Sequence, residues 1–259
     1  MKWLAFKTGL LLLLAGLIFS PVQAGSIFGQ EYSKTVKKEF NLDANGTLDL
    51  DNIYGKVDVK TWDQNRVKIE VTITVRAKNE SSAEDVFNRI EIDMSGSNSF
   101  AKAETKIDTD KGSWWSSRNE KSDFTVDYDV FMPRSANLEL ANKYGDVFVD
   151  LLDGRASVSL KYGNCRMEGV NNDLDFSLGY GNATVVKAKD VNADLSYCKM
   201  RLEETRDLEV NSKYSRVTLN AGNDIRSFSK YDTYKIGEIK SLRSEGKYDN
   251  YEIDAVEEI

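Results

Sequence analysis

The sequence predicts an all-β chain wound as a parallel β-solenoid (β-helix) of about 17–18 residues per turn, and three observations predict it. The first is a tyrosine that returns at a near-constant interval. Tyr144, Tyr162, Tyr180, Tyr197, Tyr214, Tyr231 and Tyr248 are spaced 18, 18, 17, 17, 17 and 17 residues apart. The second is that positions flanking the tyrosine keep their character. Six residues before it stand Leu138, Ala156, Leu174, Val191, Leu208, Ile225 and Leu242, and five after it Val149, Met167, Val185, Leu202, Leu219, Ile236 and Ile253. The third is alternation: residues between these apolar positions are mostly polar, the period of a half-buried strand.

A tandem unit with a fixed short period signals like units stacked on one another. This period is too short for a strand–helix–strand crossover. Extended chain covers about 3.3 Å per residue, so one unit traces a loop of roughly 55 Å, one turn of a narrow solenoid whose turns pair about 4.8 Å apart. A meander of antiparallel hairpins is the competing arrangement, but it would not hold each position's character so constant.

The parity of the inward positions changes across the tyrosine, even before it and odd after it. One residue is thus inserted into the alternation, and the chain turns a corner there. Gly145, Gly163 and Gly181 follow the first three of these tyrosines and are read as its permissive backbone. Ser215, Asp232 and Asp249 hold that place later, so positive φ is not expected to be required. The tyrosine has inward parity, and its ring is expected to stack at the corner with the hydroxyl reaching solvent or backbone. In the last units Ser227, Ser229, Ser244 and Gly246 are small where Tyr234 and Tyr251 are large, as facing walls of one packed core require. Cys165 and Cys198 fall two turns apart, too far for a disulfide, and are expected as free thiols.

Taken from the N-terminus, residues 1–24 read as a signal peptide. Lys2 and Lys7 precede an apolar run over 8–19, and Val22-Gln23-Ala24 offers a small-residue cleavage site. No later apolar run is long enough to span a bilayer, so the mature chain is expected outside the cytoplasm, periplasmic or at the cell surface. Residues 25–62 hold N-terminal strands and a first turn, L-D-L-D-N-I-Y-G-K-V-D-V, anchored on Tyr54. Residues 63–137 break the repeat with an excursion. Val67, Ile69, Val71, Ile73 and Val75 alternate as one long strand, and Ser81 with Glu84 resembles a capping box opening a short helix to about Ile90. Antiparallel strands follow near 90–95, 101–107 and 124–132, with Pro133 as a stop. Residues 138–259 are the seven-turn solenoid.

Chemistry is excluded more readily than it is assigned. The chain has no histidine, which removes Ser-His-Asp and Cys-His nucleophilic systems and the commonest transition-metal ligand. No phosphate loop, metalloprotease motif or C-x-x-C is present, so no catalytic residue, metal site or cofactor is expected. A net charge of −7, carried with no acid in the leader, gives no electrostatic reason to bind nucleic acid. The recurring Lys143, Lys161, Lys213, Lys230 and Lys247 are read as a mixed surface interleaved with Asp146, Asp232 and Asp249. The candidate contact site is Trp114, Trp115 and Arg118, in the Gly/Ser-rich stretch K-G-S-W-W-S-S-R-N, because indole faces stack on sugars and anchor protein contacts.

The signal peptide, the L-x-L-x-N-x-Y-G-x-V-x-V unit, the long alternating strand with its short helix, and the tandem Y-G turns together resemble the putative-adhesin family of exported bacterial β-strand-repeat domains. The resemblance spans essentially the whole mature chain. It implies the repeat fold and an adhesin-like role without a catalytic motif, and it suggests a context of envelope signalling. The leading expectation is a non-enzymatic exported adhesin-like or envelope binding/scaffold protein whose partner is an envelope protein or a glycan. The alternative is a periplasmic regulatory partner in envelope signalling. A polysaccharide-active β-helix enzyme ranks below both, because short turns build no cleft.

Overall fold

The structure, a computed structural model, describes residues 29–108 and 123–258. The rod is a stack of layers, each crossing one face, turning at a tyrosine, and crossing a second face. On the first face lie β2 (Thr47–Ile53), β8 (Asn137–Lys143), β10 (Ala156–Lys161), β12 (Leu174–Gly179) and β16 (Asp224–Lys230). On the second lie β3 (Val57–Trp62), β9 (Val147–Val149), β11 (Cys165–Met167), β15 (Arg216–Ala221) and β18 (Asn250–Glu258). Three 15-residue strands, β13 (Asn182–Ser196), β14 (Lys199–Lys213) and β17 (Thr233–Lys247), run from the second face round the return side onto the first face of the next layer.

Every pairing between layers is parallel and in register with the repeat. Leu138 pairs with Ala156, Ala156 with Leu174, and Leu174 with Val191. Like positions therefore stack, and the apolar columns read from the sequence become the core, with Leu138, Leu174, Val191, Leu208, Ile225, Met167, Val185, Leu202, Leu219 and Ile236 all buried. The return side adds a column the sequence reading did not name: Leu152, Val170, Ala188, Thr205 and Ile239.

The excursion joins the rod and lengthens it. β6 (Phe100–Ile107) pairs in parallel with β2, and β7 (Asp123–Pro133) in parallel with β3, so together they form a layer above the first tyrosine turn. The order of layers in space thus differs from their order in the chain. Above this layer the pairing turns antiparallel: β4 (Arg66–Ala77) runs against β7, β1 (Gln30–Asn41) against β4, and β5 (Ile90–Gly96) against β6. The helix α1 (Glu80–Phe87) packs against β4, β1 and β5 through Ala83 and Phe87. These elements cover the end of the stack, where bare strands would expose unpaired backbone.

The helix start corrects the sequence expectation. The N-cap is Asn79, whose side chain accepts a hydrogen bond from the Ser82 amide at 2.9 Å. Ser81 lies inside the helix, which ends at Phe87 because Ile90 is already committed to β5. Asn is as good an N-cap as Ser, so the nearer cap wins.

Inside the topmost layers a buried polar chain replaces apolar packing. Thr105 donates to Asn52 Oδ1 at 3.0 Å, which leaves the Tyr128 hydroxyl to donate to Thr105 at 2.8 Å. Burial raises the pKa of the Tyr128 phenol, keeping it protonated for that bond. Cys165 and Cys198 are both buried and free, and burial pushes the Cys165 thiol up to about 12.

Candidate functional site: the tyrosine corner

The corner is made by the tyrosine itself. Tyr54, Tyr144, Tyr162, Tyr180, Tyr197, Tyr214, Tyr231 and Tyr248 all have positive φ, between 51° and 66°. This corrects the expectations that the corner requires no positive φ, that the following glycine supplies its permissive backbone, and that the tyrosine keeps inward parity. A left-handed residue breaks the pleat, so the side chain that strand parity would have sent to the core swings out to the surface. The tyrosine amide still bonds to the next layer, as Tyr144 N to Lys161 O at 3.0 Å and Tyr162 N to Gly179 O at 2.9 Å. The ladder of backbone hydrogen bonds therefore continues unbroken through the bend.

The glycines serve a different purpose. A Cβ on Gly145, Gly163 or Gly181 would lie 1.8–2.1 Å from the carbonyl oxygen of the layer above. Close approach of backbones, rather than backbone conformation, demands glycine there.

The outward rings stack on one another along the rod. Centroids are 4.9–5.2 Å apart from Tyr54 to Tyr248, with ring planes within 13° of parallel. The upper end is closed by the edge of Phe124, 5.5 Å from Tyr54. Stacking covers the ring faces and leaves edges and hydroxyls to solvent; Tyr180 and Tyr197 remain 46% and 48% exposed. A non-glycine residue in the left-handed region costs about 1 kcal/mol or more, and an aromatic pair returns about 0.5–1.5 kcal/mol, so each ring helps hold its neighbour's strained backbone.

Lysines flank this ladder, and their partners differ from the expectation. Lys143, Lys161 and Lys230 lie over the rings of Tyr144, Tyr162 and Tyr231 at 4.8–5.4 Å. The aspartates expected between the lysines are engaged elsewhere. Asp146 accepts from Asn164 N and Nδ2 at 2.8 and 3.0 Å, and Asn164 accepts in turn from Asn182, forming an amide ladder on the second face. Asp232 and Asp249 turn inward. Asp232 is 3% exposed and accepts from Ser215 N at 2.5 Å and Ser212 Oγ at 2.7 Å.

The lysine column has a gap. At Gly179 and Ser196 the residue before the tyrosine is small, and a groove of about 360 Å³ opens beside Tyr180 and Tyr197. A second hollow, about 450 Å³, adjoins Trp62, Pro133, Arg134 and Asp153. There the indole is already engaged, 5.4 Å from the Phe131 ring and 5.2 Å from the Arg66 guanidinium, while Arg134 and Asp153 pair at 3.0 Å.

Trp114, Trp115 and Arg118 lie outside the described residues. The strands leading to and from that segment, β6 and β7, end and restart at the level of the Tyr54 corner. The tyrosines were legible in the sequence as corner positions, but the groove was not, because it depends on which residues neighbouring turns place beside each other.

No protein-family model matches the chain, and no curated protein matches it. Solved structures do. A putative adhesin from Bacteroides fragilis NCTC 9343 is 16% identical with a TM-score of 0.49, over 85% of this chain and 97% of that one. A putative lipid binding protein from Parabacteroides distasonis ATCC 8503 is 10% identical with a TM-score of 0.42, over 87% and 96%. A putative cell adhesion protein from Clostridium sporogenes ATCC 15579 is 13% identical with a TM-score of 0.30, over 83% and 100%. Putative adhesin is also the name of two further matching structures, from Parabacteroides merdae ATCC 43184 and Parabacteroides distasonis ATCC 8503.

Proposed function

We propose that this chain is an exported, non-enzymatic, adhesin-like binding and scaffold protein, acting at the cell envelope or surface, with a rigid solenoid that presents a linear contact surface. The observation that carries the reading is the tyrosine ladder: eight stacked phenols in a row about 5 Å apart, seven of them 40–77% exposed, edged by lysines. Parallel stacking fixes every member of that row, so a partner meets a preorganised surface and little ordering opposes binding. The reading keeps Trp114, Trp115 and Arg118 as a contact element on sequence grounds.

The test is retention of envelope material on the immobilised chain, with and without protease treatment of the extract. Retention that survives protease supports the adhesin-like reading. Retention abolished by protease moves the role to a regulatory protein partner in the envelope, and no retention at all sinks the binding reading.

A further inference from the structure

We infer that the gap in the lysine column, at Gly179 and Ser196, is a binding groove for a neutral glycan lying along the rod axis. The inference rests on the binding reading above and names its ligand class and its place.

Gly179 is the starting point, because nothing in the fold requires a glycine there. Its φ is not positive, and an added Cβ would meet only Lys161 Cγ, at an ordinary 3.7 Å. It sits within β12, where glycine weakens a strand and marks a site at which something approaches the backbone. In the layers on either side the same column carries lysine, at Lys143, Lys161, Lys213, Lys230 and Lys247. A lysine at 179 would fold, and its absence keeps the groove open.

The lining is uncommitted. The hydroxyls of Ser159, Ser177 and Ser196 on the floor, and those of Tyr180 and Tyr197 on the wall, have no hydrogen-bond partner among the described residues. The Asp194 carboxylate, two residues before Ser196 in one of the two middle layers, forms no ion pair or hydrogen bond among the described residues either. Hydroxyls that both donate and accept, beside one carboxylate that accepts, suit a partner rich in hydroxyls of its own. A protein partner would instead call for an apolar anchor pocket, and the side chains around this gap are serines, lysines, Asp194 and the two tyrosines, over the strand leucines.

Two features narrow the glycan. The wall repeats at 5.2 Å between Tyr180 and Tyr197, close to the advance of one sugar in an extended β-1,4-linked chain, so successive sugars meet equivalent groups. Asp194, in one of the two middle layers, repels an anion there, which makes the sugar beside it neutral, while Lys161 and Lys213 in the outer two layers donate to its neighbours. Because the ring faces are covered by each other, binding runs through hydroxyls and ring edges.

The experiment is calorimetric titration of the full chain with soluble β-1,4-linked hexasaccharides of glucose and of N-acetylglucosamine, and with a uronate hexasaccharide. A neutral hexasaccharide should bind at least about tenfold more tightly than the uronate. Gly179→Lys should weaken that binding by about tenfold or more while its melting temperature stays level or rises, since the variant only restores the column. Ser196→Lys should do the same. Absence of neutral-hexasaccharide binding, equal or tighter uronate binding, or unchanged binding by Gly179→Lys would overturn the groove. If protease-resistant retention from extract persists in any of those cases, the broader binding reading stands and the groove alone falls.

Discussion

The upper and lower turns of the rod solve the same corner in opposite ways. Around Tyr144, Tyr162 and Tyr180 the residue after the tyrosine is glycine, pressed against the backbone above, and the residue two before it is Asn142, Leu160 or Leu178. Asn142 Nδ2 donates to the carbonyls of Gly55 and Gly145, both at 3.0 Å, and the leucines fill the space below it. Around Tyr214 and Tyr231 the two places exchange sizes. Ser215 and Asp232 now carry side chains into the core, and Ser212 and Ser229 have shrunk to admit them. The space left over is taken from the second face by Tyr234 and Tyr251, stacked 4.7 Å apart inside the rod.

The exchange also changes the chemistry of the core. In the lower turns the Tyr234 hydroxyl meets Ser212 at 2.5 Å and Ser212 donates to Asp232, while Tyr251 meets Ser244, Ser227 and Ser229 at 2.6–3.1 Å. Burial raises the pKa of the Tyr234 phenol, so it stays a donor to Ser212. The corners at Tyr162 and Tyr180 are therefore held by backbone contact and apolar filling, those at Tyr214 and Tyr231 by a polar network. Total volume is conserved while the kind of bond is not.

The sharpest way to break the contrast is to put a side chain where only the lower turns allow one. Gly163→Ala places a Cβ 2.1 Å from the Gly145 oxygen, and we expect a loss on the order of 3 kcal/mol by chemical denaturation. A loss below about 0.5 kcal/mol would show that the upper layers can part. In the lower turns the matching lesion is Asp232→Ala, which strands the Ser215 amide and the Ser212 hydroxyl; about 2–3 kcal/mol should be lost, since buried bonds to a charged acceptor are involved. Tyr234→Phe removes one hydroxyl from the same network and should cost about 1 kcal/mol. An unchanged denaturation midpoint for it would mean the internal ring acts by volume alone. Tyr197→Asn on the ladder should fall within about 1 kcal/mol of the parent, because relief of left-handed strain offsets lost stacking.

A pH effect sharpens the comparison at the capped end. Burial raises the pKa of Asp49, with Lys102 opposing it, and burial followed by the Glu104 charge raises that of Asp51. A carboxyl that holds its proton more firmly when folded stabilises the fold at low pH, and that stability is lost as pH rises through the folded pKa. The double variant Asp49→Asn, Asp51→Asn should thus melt higher than the parent at about pH 7, with the gap closing toward about pH 3. A gap that widens on acidification would contradict this sign. The two thiols offer a last check: both should resist alkylation in the folded chain and react once it is denatured.

The change from 18-residue to 17-residue spacing shows what a sequence count means in three dimensions. The extra residue sits on the return side, where β9 stops at Val149 and β10 begins only at Ala156, leaving a single bridge from Leu152 to Val170. In three of the four 17-residue units β13, β14 and β17 run round that side as continuous strands, while the fourth, from Tyr214 to Tyr231, breaks between Ala221 and Asp224. The 18-residue units thus always interrupt the ladder there, and a 17-residue unit does so once, at Gly222 and Asn223. The second face and the corner are unaffected.

The sequence by itself determined the all-β class, the period, the apolar columns and the volume trade between Tyr234 or Tyr251 and the serines opposite. These follow from alternation and spacing, which stacking in register turns directly into burial. Only the tertiary structure decided that the tyrosines take the left-handed region and face outward, that the glycines yield to a neighbouring carbonyl, and that Asp232 and Asp249 go inside. It also decided that β6 and β7 form a layer above the turn that precedes them in the chain. Each of these depends on contact between residues at least 17 positions apart, and a strand's own pattern carries no record of what the next layer brings against it.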